Sequence, residues 1–448
     1  MKKNSTSRTV QAWLGIPAFL ILLSLFPVSC EKVSLPWNDG KEGHGGGHSY
    51  SPEMVLLWNS ATEEATIRVG GMPPMPQSRI FAIVFLAMHD ALNNIKPKYK
   101  TYAYHSPNIV SDANPDAAVA QAAHDAIVGL LPPVMVYADS LLDVSLKSIP
   151  DGSGKNSGIQ LGKNAAQAIL ALRANDGAST AQVPYVQGTL PGQYRSTPPF
   201  DVPGPMQGFV AVPNWGKLVP FSMKSGDQFR VVPDYNVTSA DYAKDYNEIK
   251  DYGAAVNSKR SADQTQIGLF FLENVCSIFN RVAKNLVIAN NLDGWKAARL
   301  LAILQIGEAD ANIGCLESKF YYNFWRPITA VRLGDSDGNP ATKGDPAWDV
   351  LAPPTPPVPD YPSNHATNGG AAAEILKDYF GKDNVTIDIT TTTLPGITRT
   401  YKSFSLAARD NSLSRIYVGY HFRNAVMKGE DMGSKIGKWV FDHELKEN

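Results

Sequence analysis

Three short segments carry cations and imidazoles at spacings suited to holding a tetrahedral oxyanion. In the first, Lys319-Phe320-Tyr321-Tyr322-Asn323-Phe324-Trp325-Arg326-Pro327, two cations stand seven residues apart. On an α-helix this is nearly two turns, about 10 Å along the axis, so both would share one face. Pro327 disfavours helical geometry at Arg326, which predicts that the helix ends there and the guanidinium projects from its end. Such a pair alone reads as a solvated stripe, but Tyr321, Tyr322, Phe324 and Trp325 imply a helix buried on several sides. In the second segment, Pro362-Ser363-Asn364-His365 opens an apolar helical stretch, with Ser363 placed as its N-cap. The bland reading is a cap and nothing more. A helix N-terminus also offers free N–H groups and a positive dipole end to an anion, so Ser363 and the Asn364 amide are candidate donors, with His365 as acid or base. In the third, Ser414-Arg415-Ile416-Tyr417-Val418-Gly419-Tyr420-His421 adds a guanidinium and an imidazole before the last helix. The planar fork of Arg415 suits a tetrahedral oxyanion, and His421 suits a direct ligand or nucleophile.

These residues need rigid elements to hold them. Apolar residues recur three and four apart at Ile80, Phe81, Ile83, Val84, Leu86, Ala87 and Met88, and again at Leu301, Ile303, Leu304, Ile306 and Ala309. Further helices are expected near 115–131, 158–174, 240–255, 263–280, 366–379 and 423–445, with Thr238 followed by Asp241 as one start signal. Strand-like alternation is scarce, so the expected fold class is all-α, a helical bundle or bundles with long irregular loops. No repeat of 20 to 50 residues is visible, and residues 51–448 read as a single large helical domain whose site lies within 319–421. Bundles place ligand sites between facing helices. From Val183 to Tyr235, Pro, Gly and aromatic residues replace any helical period, which predicts a long ordered loop or cap. A second loop, Gly334 to Asp360, contains Asp335, Asp337 and Asn339 but lacks the full calcium-loop pattern, and reads as turn chemistry.

The chain has 448 residues, 44% of them hydrophobic and 19% charged, enough to bury a large core. Its 41 basic and 42 acidic residues give no broad positive field, so nucleic acid is not an expected partner and any anion site must be local. Lys2, Lys3 and Arg8 precede an apolar run from Ala12 to Val28, the pattern of an export signal over 1–29. Its removal takes the formal net charge from -1 to -4. Cys30 resembles the acylated first residue of mature bacterial lipoproteins, which implies a lipid anchor and a periplasmic, outer-membrane or cell-surface location. Residues 30–50, with Gly-rich 40–48, read as a flexible tether. His44 and His48 within it lack companion ligands for a firm metal site. Cys276 and Cys315 are either a disulfide or two buried thiols.

At its three segments the sequence resembles the superfamily of vanadium-dependent haloperoxidases and type 2 phosphatidic acid phosphatases. Its signatures are Lys-x6-Arg-Pro, Pro-Ser-Gly-His and Ser-Arg-x3-Gly-x-His. Met88-His89-Asp90-Ala91, Ala122-Ala123-His124-Asp125, Asn214-Trp215-Gly216 to Pro220-Phe221, and Thr238 to Asn247 resemble the bacterial haloperoxidase branch. The resemblance implies a helical-bundle fold in which Lys319, Arg326, Ser363, the Asn364 amide and Arg415 hold vanadate oxygens. It makes His421 the axial ligand to vanadium and His365 the acid–base residue. Lys319 would polarise hydrogen peroxide on its way to oxidising halide. In the phosphatase version, phosphate occupies the same site and a small phosphate ester is cleaved, with attack by His421 and protonation of the leaving group by His365. His89 and His124, among alanines and each beside an Asp, read as structural hydrogen-bonding groups.

Two positions depart from the pattern. Asn364 replaces the signature glycine, keeping the backbone donor but adding a side chain toward the anion or substrate. Ala425 stands where the family carries an Asp four residues after the second histidine, a carboxylate that fixes the imidazole tautomer. Asn424, Asp410, Glu430 and Asp431 are the candidate substitutes. The leading expectation is a vanadium-dependent haloperoxidase, with an acid phosphatase as the alternative and a non-catalytic phosphate-binding lipoprotein as a third. The aromatic loop region permits a homodimer.

Overall fold

In the computed structural model, residues 50–180, 183–233 and 235–448 are described. The leader, Cys30, and the tether with His44 and His48 lie outside the described residues. The elements in chain order are α1 (Glu53–Arg68), α2 (Pro74–Asn93), α3 (Pro115–Leu130), α4 (Met135–Lys147), α5 (Ser153–Arg173) and α6 (Ala240–Tyr252). They continue with α7 (Ala262–Phe270), α8 (Val275–Ala289), α9 (Gly294–Tyr322), α10 (Pro327–Arg332), α11 (Asn364–Phe380), α12 (Phe404–Tyr417) and α13 (Arg423–His443). Among the described residues one antiparallel hairpin, β1 (Ile387–Thr390) with β2 (Thr398–Tyr401), interrupts an otherwise all-α fold.

The helix starts follow local chemistry. The side chains of Asn114, Ser239, Ser261, Asn274, Asp293 and Ser403 each accept a first-turn N–H, and Ser261 with Gln264 forms a reciprocal capping box. Two boundaries differ from the sequence expectation. The cap of α6 is Ser239 rather than Thr238, whose hydroxyl donates to Asn236 Oδ1 at 2.7 Å. The stretch expected as one helix over 263–280 is two, because Asn274 accepts from the Cys276 N–H and starts α8 afresh.

Helix α9 is the axis of the molecule. Every residue from Ala297 to Leu316 is buried, as expected of a helix with no polar face to give to solvent. It packs against α2, which in turn packs with α3 and α5, and on its other side against α11 and α13. The α11–α13 crossing is backbone to backbone: a Cβ on Gly433 would stand 1.9 Å from the Thr367 carbonyl oxygen, and one on Gly429 would stand 2.7 Å from that of Ser363. Helix α13 thereby sets the position of the α11 N-terminus.

The long loop from 183 to 235 has only a short 3-10 turn at Trp215–Lys217, and it is lashed to α9. Asp310 accepts the consecutive N–H groups of Phe221, Ser222 and Met223 at 2.6, 2.8 and 2.8 Å. Arg230 Nε donates to Glu317 at 2.9 Å, and Gly216 lies so close to Glu317 that a Cβ would come within 2.4 Å of its backbone. Farther along, the Tyr194 N–H donates to the Asn323 carbonyl at 2.8 Å and the Trp325 N–H to that of Gly192 at 2.9 Å. The loop therefore fixes the chain just ahead of Arg326. In the second loop Thr342 Oγ1 donates to Asp337 and the Gly344 N–H to Asp335, the turn chemistry expected there.

Candidate active site

Lys319 occupies the last turn of α9, but the helix ends sooner than Pro327 alone implied. Asn323 takes the left-handed conformation (φ 54°) and donates its N–H to the Lys319 carbonyl at 2.9 Å. Arg326 lies beyond the helix in extended geometry, as the residue preceding α10. The two cations do not share a helix face; the turn at Asn323 brings them to one place instead. Ser363 precedes α11, whose first residues are Asn364 and His365, Arg415 lies in the last turn of α12, and His421 sits in the link to α13.

Lys319, Arg326, Asn364, His365, Arg415 and His421 line one cavity of about 350 Å³. Ser363 is fully buried just outside that lining. Apolar walls come from Pro74, Met75, Leu272, Leu316, Pro356 and Val358, and polar ones from Asn274 and Tyr420. Of these, Pro74 and Met75 at the start of α2 are invisible to sequence reasoning, because they lie far along the chain and carry no chemistry of their own.

The cations are buried and lean mainly on carbonyl oxygens. Lys319 Nζ donates to the carbonyls of Pro359 and Asp360 at 2.8 and 2.9 Å, and burial pushes it down to about 7. Arg326 Nε donates to the Val358 carbonyl at 2.7 Å, and its NH1 donates to that of Tyr420 at 2.9 Å. Arg415 NH1 donates to the Phe271 carbonyl at 2.7 Å, and burial lowers this guanidinium to about 10. Two buried donors at the site find no partner among the described residues, Arg415 Nε and Ser363 Oγ, although Ser363 stands where a cap would accept a hydrogen bond. Burying several cations beside orphaned donors costs several kcal/mol, unless a ligand supplies the missing negative charge and acceptors.

Both imidazoles are held in defined roles. His365 Nε2 lies 3.2 Å from the Glu273 carbonyl, which can only accept, so Nε2 carries the proton and Nδ1 the lone pair. His421 Nε2 accepts from Arg326 NH1 at 2.8 Å, while its Nδ1 lies 2.9 Å from Asp360 Oδ1, a close charge contact rather than an aligned hydrogen bond. Burial, joined by nearby cations, pushes both rings well below the ordinary histidine range, so each is neutral.

Asp360 stands beside His421 where Asn424, Asp410, Glu430 or Asp431 was expected to replace the absent family carboxylate. Asp410 accepts from Tyr401 at 3.0 Å, Glu430 pairs with Arg409 and Asp431 with Lys435, while the Asn424 backbone N–H donates to Asp245. The carboxylate comes from the opposite direction, three residues before Ser363. Burial raises Asp360 to about 7, against the pull of Arg326 and Lys319. The visible signal was its place in Pro359-Asp360-Tyr361-Pro362, beside the signature.

The remaining candidates are structural. His89 Nδ1 stands 3.2 Å from Asp90, and His124 bridges Asp125 and Asp139 at 2.7 and 2.8 Å. Burial would lower His124, but those two carboxylates outweigh it and raise it. Cys276 and Cys315 are buried free thiols, the second donating to the Pro362 carbonyl at 3.4 Å. Among the described residues no cluster of three or more His, Cys, Asp or Glu is arranged around a metal ion, and no helix is long and apolar enough to cross a membrane.

Fold and pocket together define a helical-bundle protein with a buried cationic pocket. Residues 299–447 match the family described as the VCPO second helical-bundle domain. The chain is 27% identical to the vanadium chloroperoxidase of Curvularia inaequalis, over 89% of this chain and 81% of that protein. It superposes on the first bacterial vanadium-dependent iodoperoxidase with a TM-score of 0.74 at 25% identity, covering 90% of this chain and 99% of that one. A holo-type bacterial vanadium-dependent chloroperoxidase shares the fold, with a TM-score of 0.69 at 16% identity, covering 89% and 98%. The chain is thus similar in sequence to a vanadium haloperoxidase along most of its length and shares the helical-bundle fold of bacterial vanadium-dependent haloperoxidases.

Proposed function

We propose that the protein binds vanadate in this cavity and oxidises halide with hydrogen peroxide. The observation that carries the reading is the convergence of Lys319, Arg326 and Arg415 with two partnerless donors, Ser363 Oγ and Arg415 Nε, at a buried pocket none of whose described lining residues is a carboxylate, Asp360 lying behind it beside His421. This donor set fits a tetrahedral oxyanion. The three cations, Ser363 Oγ and the N–H of Asn364 at the α11 N-terminus would hold the anion's oxygens. His421, with Asp360 beside Nδ1, would bind vanadium through Nε2, exchanging for it the hydrogen bond that Nε2 accepts from Arg326 NH1. Bound vanadate supplies a Lewis acid that activates peroxide without changing its own oxidation state. His365 Nδ1 takes the proton that hydrogen peroxide gives up on binding. Lys319 polarises the oxygen that passes to halide. In the balanced reaction, hydrogen peroxide, halide and one proton give hypohalous acid and water. The apolar wall from Met75 to Val358 limits water around these charges and so strengthens them.

The test uses protein stripped of bound anions and reconstituted with orthovanadate, assayed for peroxide-dependent oxidation of iodide and bromide, alongside hydrolysis of p-nitrophenyl phosphate without vanadate. Halide oxidation that requires vanadate and is lost in His421→Ala is the expected result. Phosphate release alone would assign the pocket to an acid phosphatase working through His421. Binding of vanadate with neither activity would make the chain a non-catalytic oxyanion binder. The lipid anchor at Cys30, export to the periplasm or cell surface, and a homodimer are further parts of this proposal, resting on sequence alone.

A further inference from the structure

Among the polar residues of the pocket wall that are not imidazoles, Asn364 carries a buried acceptor with no partner. Its Nδ2 donates to Asn312 Oδ1 at 2.8 Å, and its own Oδ1 is buried with no partner. Which way an amide points is decided by its neighbours, and here two backbone carbonyls decide it. Asn312 Nδ2 donates to the Glu308 carbonyl at 3.0 Å and to Ser78 Oγ at 2.9 Å, so its Oδ1 must turn toward Asn364. Asn368 Nδ2 donates to the Asn364 carbonyl at 3.0 Å and also to Asn312 Oδ1 at 3.1 Å, while its Oδ1 receives Asn312 Nδ2 at 3.3 Å. Flipping any of these three amides would set donor against donor or acceptor against acceptor. Asn364 therefore offers its amide N–H₂ to the protein and keeps its carbonyl oxygen free, on a residue that lines the cavity.

We propose that Asn364 makes this pocket selective for protonated oxyanions, its fixed side-chain oxygen accepting a hydrogen bond from an O–H of the bound anion. A fully ionised tetrahedral anion presents only lone pairs, and one of them would face the Asn364 oxygen with no proton between. Hydrogen phosphate and hydrogen vanadate carry that proton at neutral pH, and sulfate does not. A buried acceptor left facing another acceptor weakens binding on the order of tenfold or more. The signature glycine at this position would impose no such rule. The inference rests on the oxyanion reading of the pocket, and it concerns which anion is admitted rather than what is done to it.

Calorimetric titration of the full-length protein with inorganic phosphate and with inorganic sulfate, at neutral pH and equal ionic strength, tests it. Phosphate is expected to bind at least tenfold tighter than sulfate. In Asn364→Gly and Asn364→Ala that ratio should fall toward unity, chiefly because sulfate binds better. The alanine variant keeps helix propensity at the start of α11, so loss of folding in the glycine variant does not remove the test. Equal affinities in the unaltered protein, or an undiminished preference in the folded variants, would overturn the role of Asn364 and leave the pocket reading in place. If neither anion binds any of the proteins, the oxyanion reading itself falls and the inference goes with it.

Discussion

Two regions of this molecule bury charge, and they do so in opposite ways. In the N-terminal half, Asp90 accepts the N–H groups of Tyr102, Ala103 and Tyr104 at 2.8, 2.7 and 2.9 Å, and Arg173 and Arg79 both pair with Asp176 at 2.9 and 2.7 Å. Each charge there meets its complement, and the result is a loop or helix end held in place. In the pocket, three cations lean on carbonyl oxygens, only Lys319 and Arg326 feel the charge of Asp360, and Arg415 Nε and Ser363 Oγ are left over. Burial alone therefore does not mark a functional group; incomplete compensation does.

The contrast is broken most directly by removing one group from each region. Asp90→Ala strands three part-buried N–H groups and should cost on the order of 2–4 kcal/mol in denaturant unfolding, with anion affinity unchanged in the protein that remains folded. Lys319→Met removes a cation with no complement of its own. It should leave the empty protein as stable or more stable, by on the order of 1–3 kcal/mol, while phosphate affinity falls about a hundredfold. If Lys319→Met destabilised the protein as Asp90→Ala does, the distinction between the regions would fail.

The sequence shows the pocket better than it shows what surrounds it. The three cations and two histidines are legible because guanidinium, ammonium and imidazole groups are scarce in buried segments and each sits near a readable helix start or stop. The 183–235 loop is legible only as an absence of period. Its task, fastening the chain just ahead of Arg326 through Gly192 and Tyr194, depends on backbone contacts that leave no compositional mark. The break between α7 and α8 turns on one Asn side chain competing with helix continuation, which an apolar pattern cannot reveal. Asp360 escapes because a carboxylate partner is sought one turn along the helix, whereas spatial proximity comes from a loop that folds back beneath His421.

That carboxylate gives a finer test, since it is the acidic group beside His421. Asp360→Asn removes repulsion toward any simple anion, so phosphate should bind at least as tightly as before. The same change takes the charge from beside His421 Nδ1 and makes Nε2 a poorer ligand, so vanadate-dependent turnover should fall about 10–100-fold. A parallel loss of both would reduce Asp360 to a packing role. Opposite changes would separate the imidazole's ligand function from the electrostatics of the pocket.

The smallest expected effect concerns Lys319 and pH. Burial brings its ammonium down to about 7 in the free protein, and a bound anion restores the charged form by raising it again. Below pH 7 the side chain is charged with or without the anion, and its contribution to affinity is fully present. As pH rises above about 7, binding must take up a proton, and affinity falls by at most about tenfold per pH unit. Phosphate loses a proton of its own in that range, so the contribution of Lys319 is read from a comparison. Lys319→Arg keeps its charge throughout and should show a shallower decline in phosphate affinity between pH 7 and 9. Identical slopes would mean that Lys319 stays charged in the empty pocket, and that the one carboxylate beneath it compensates more of its burial than the contrast between the two regions allows.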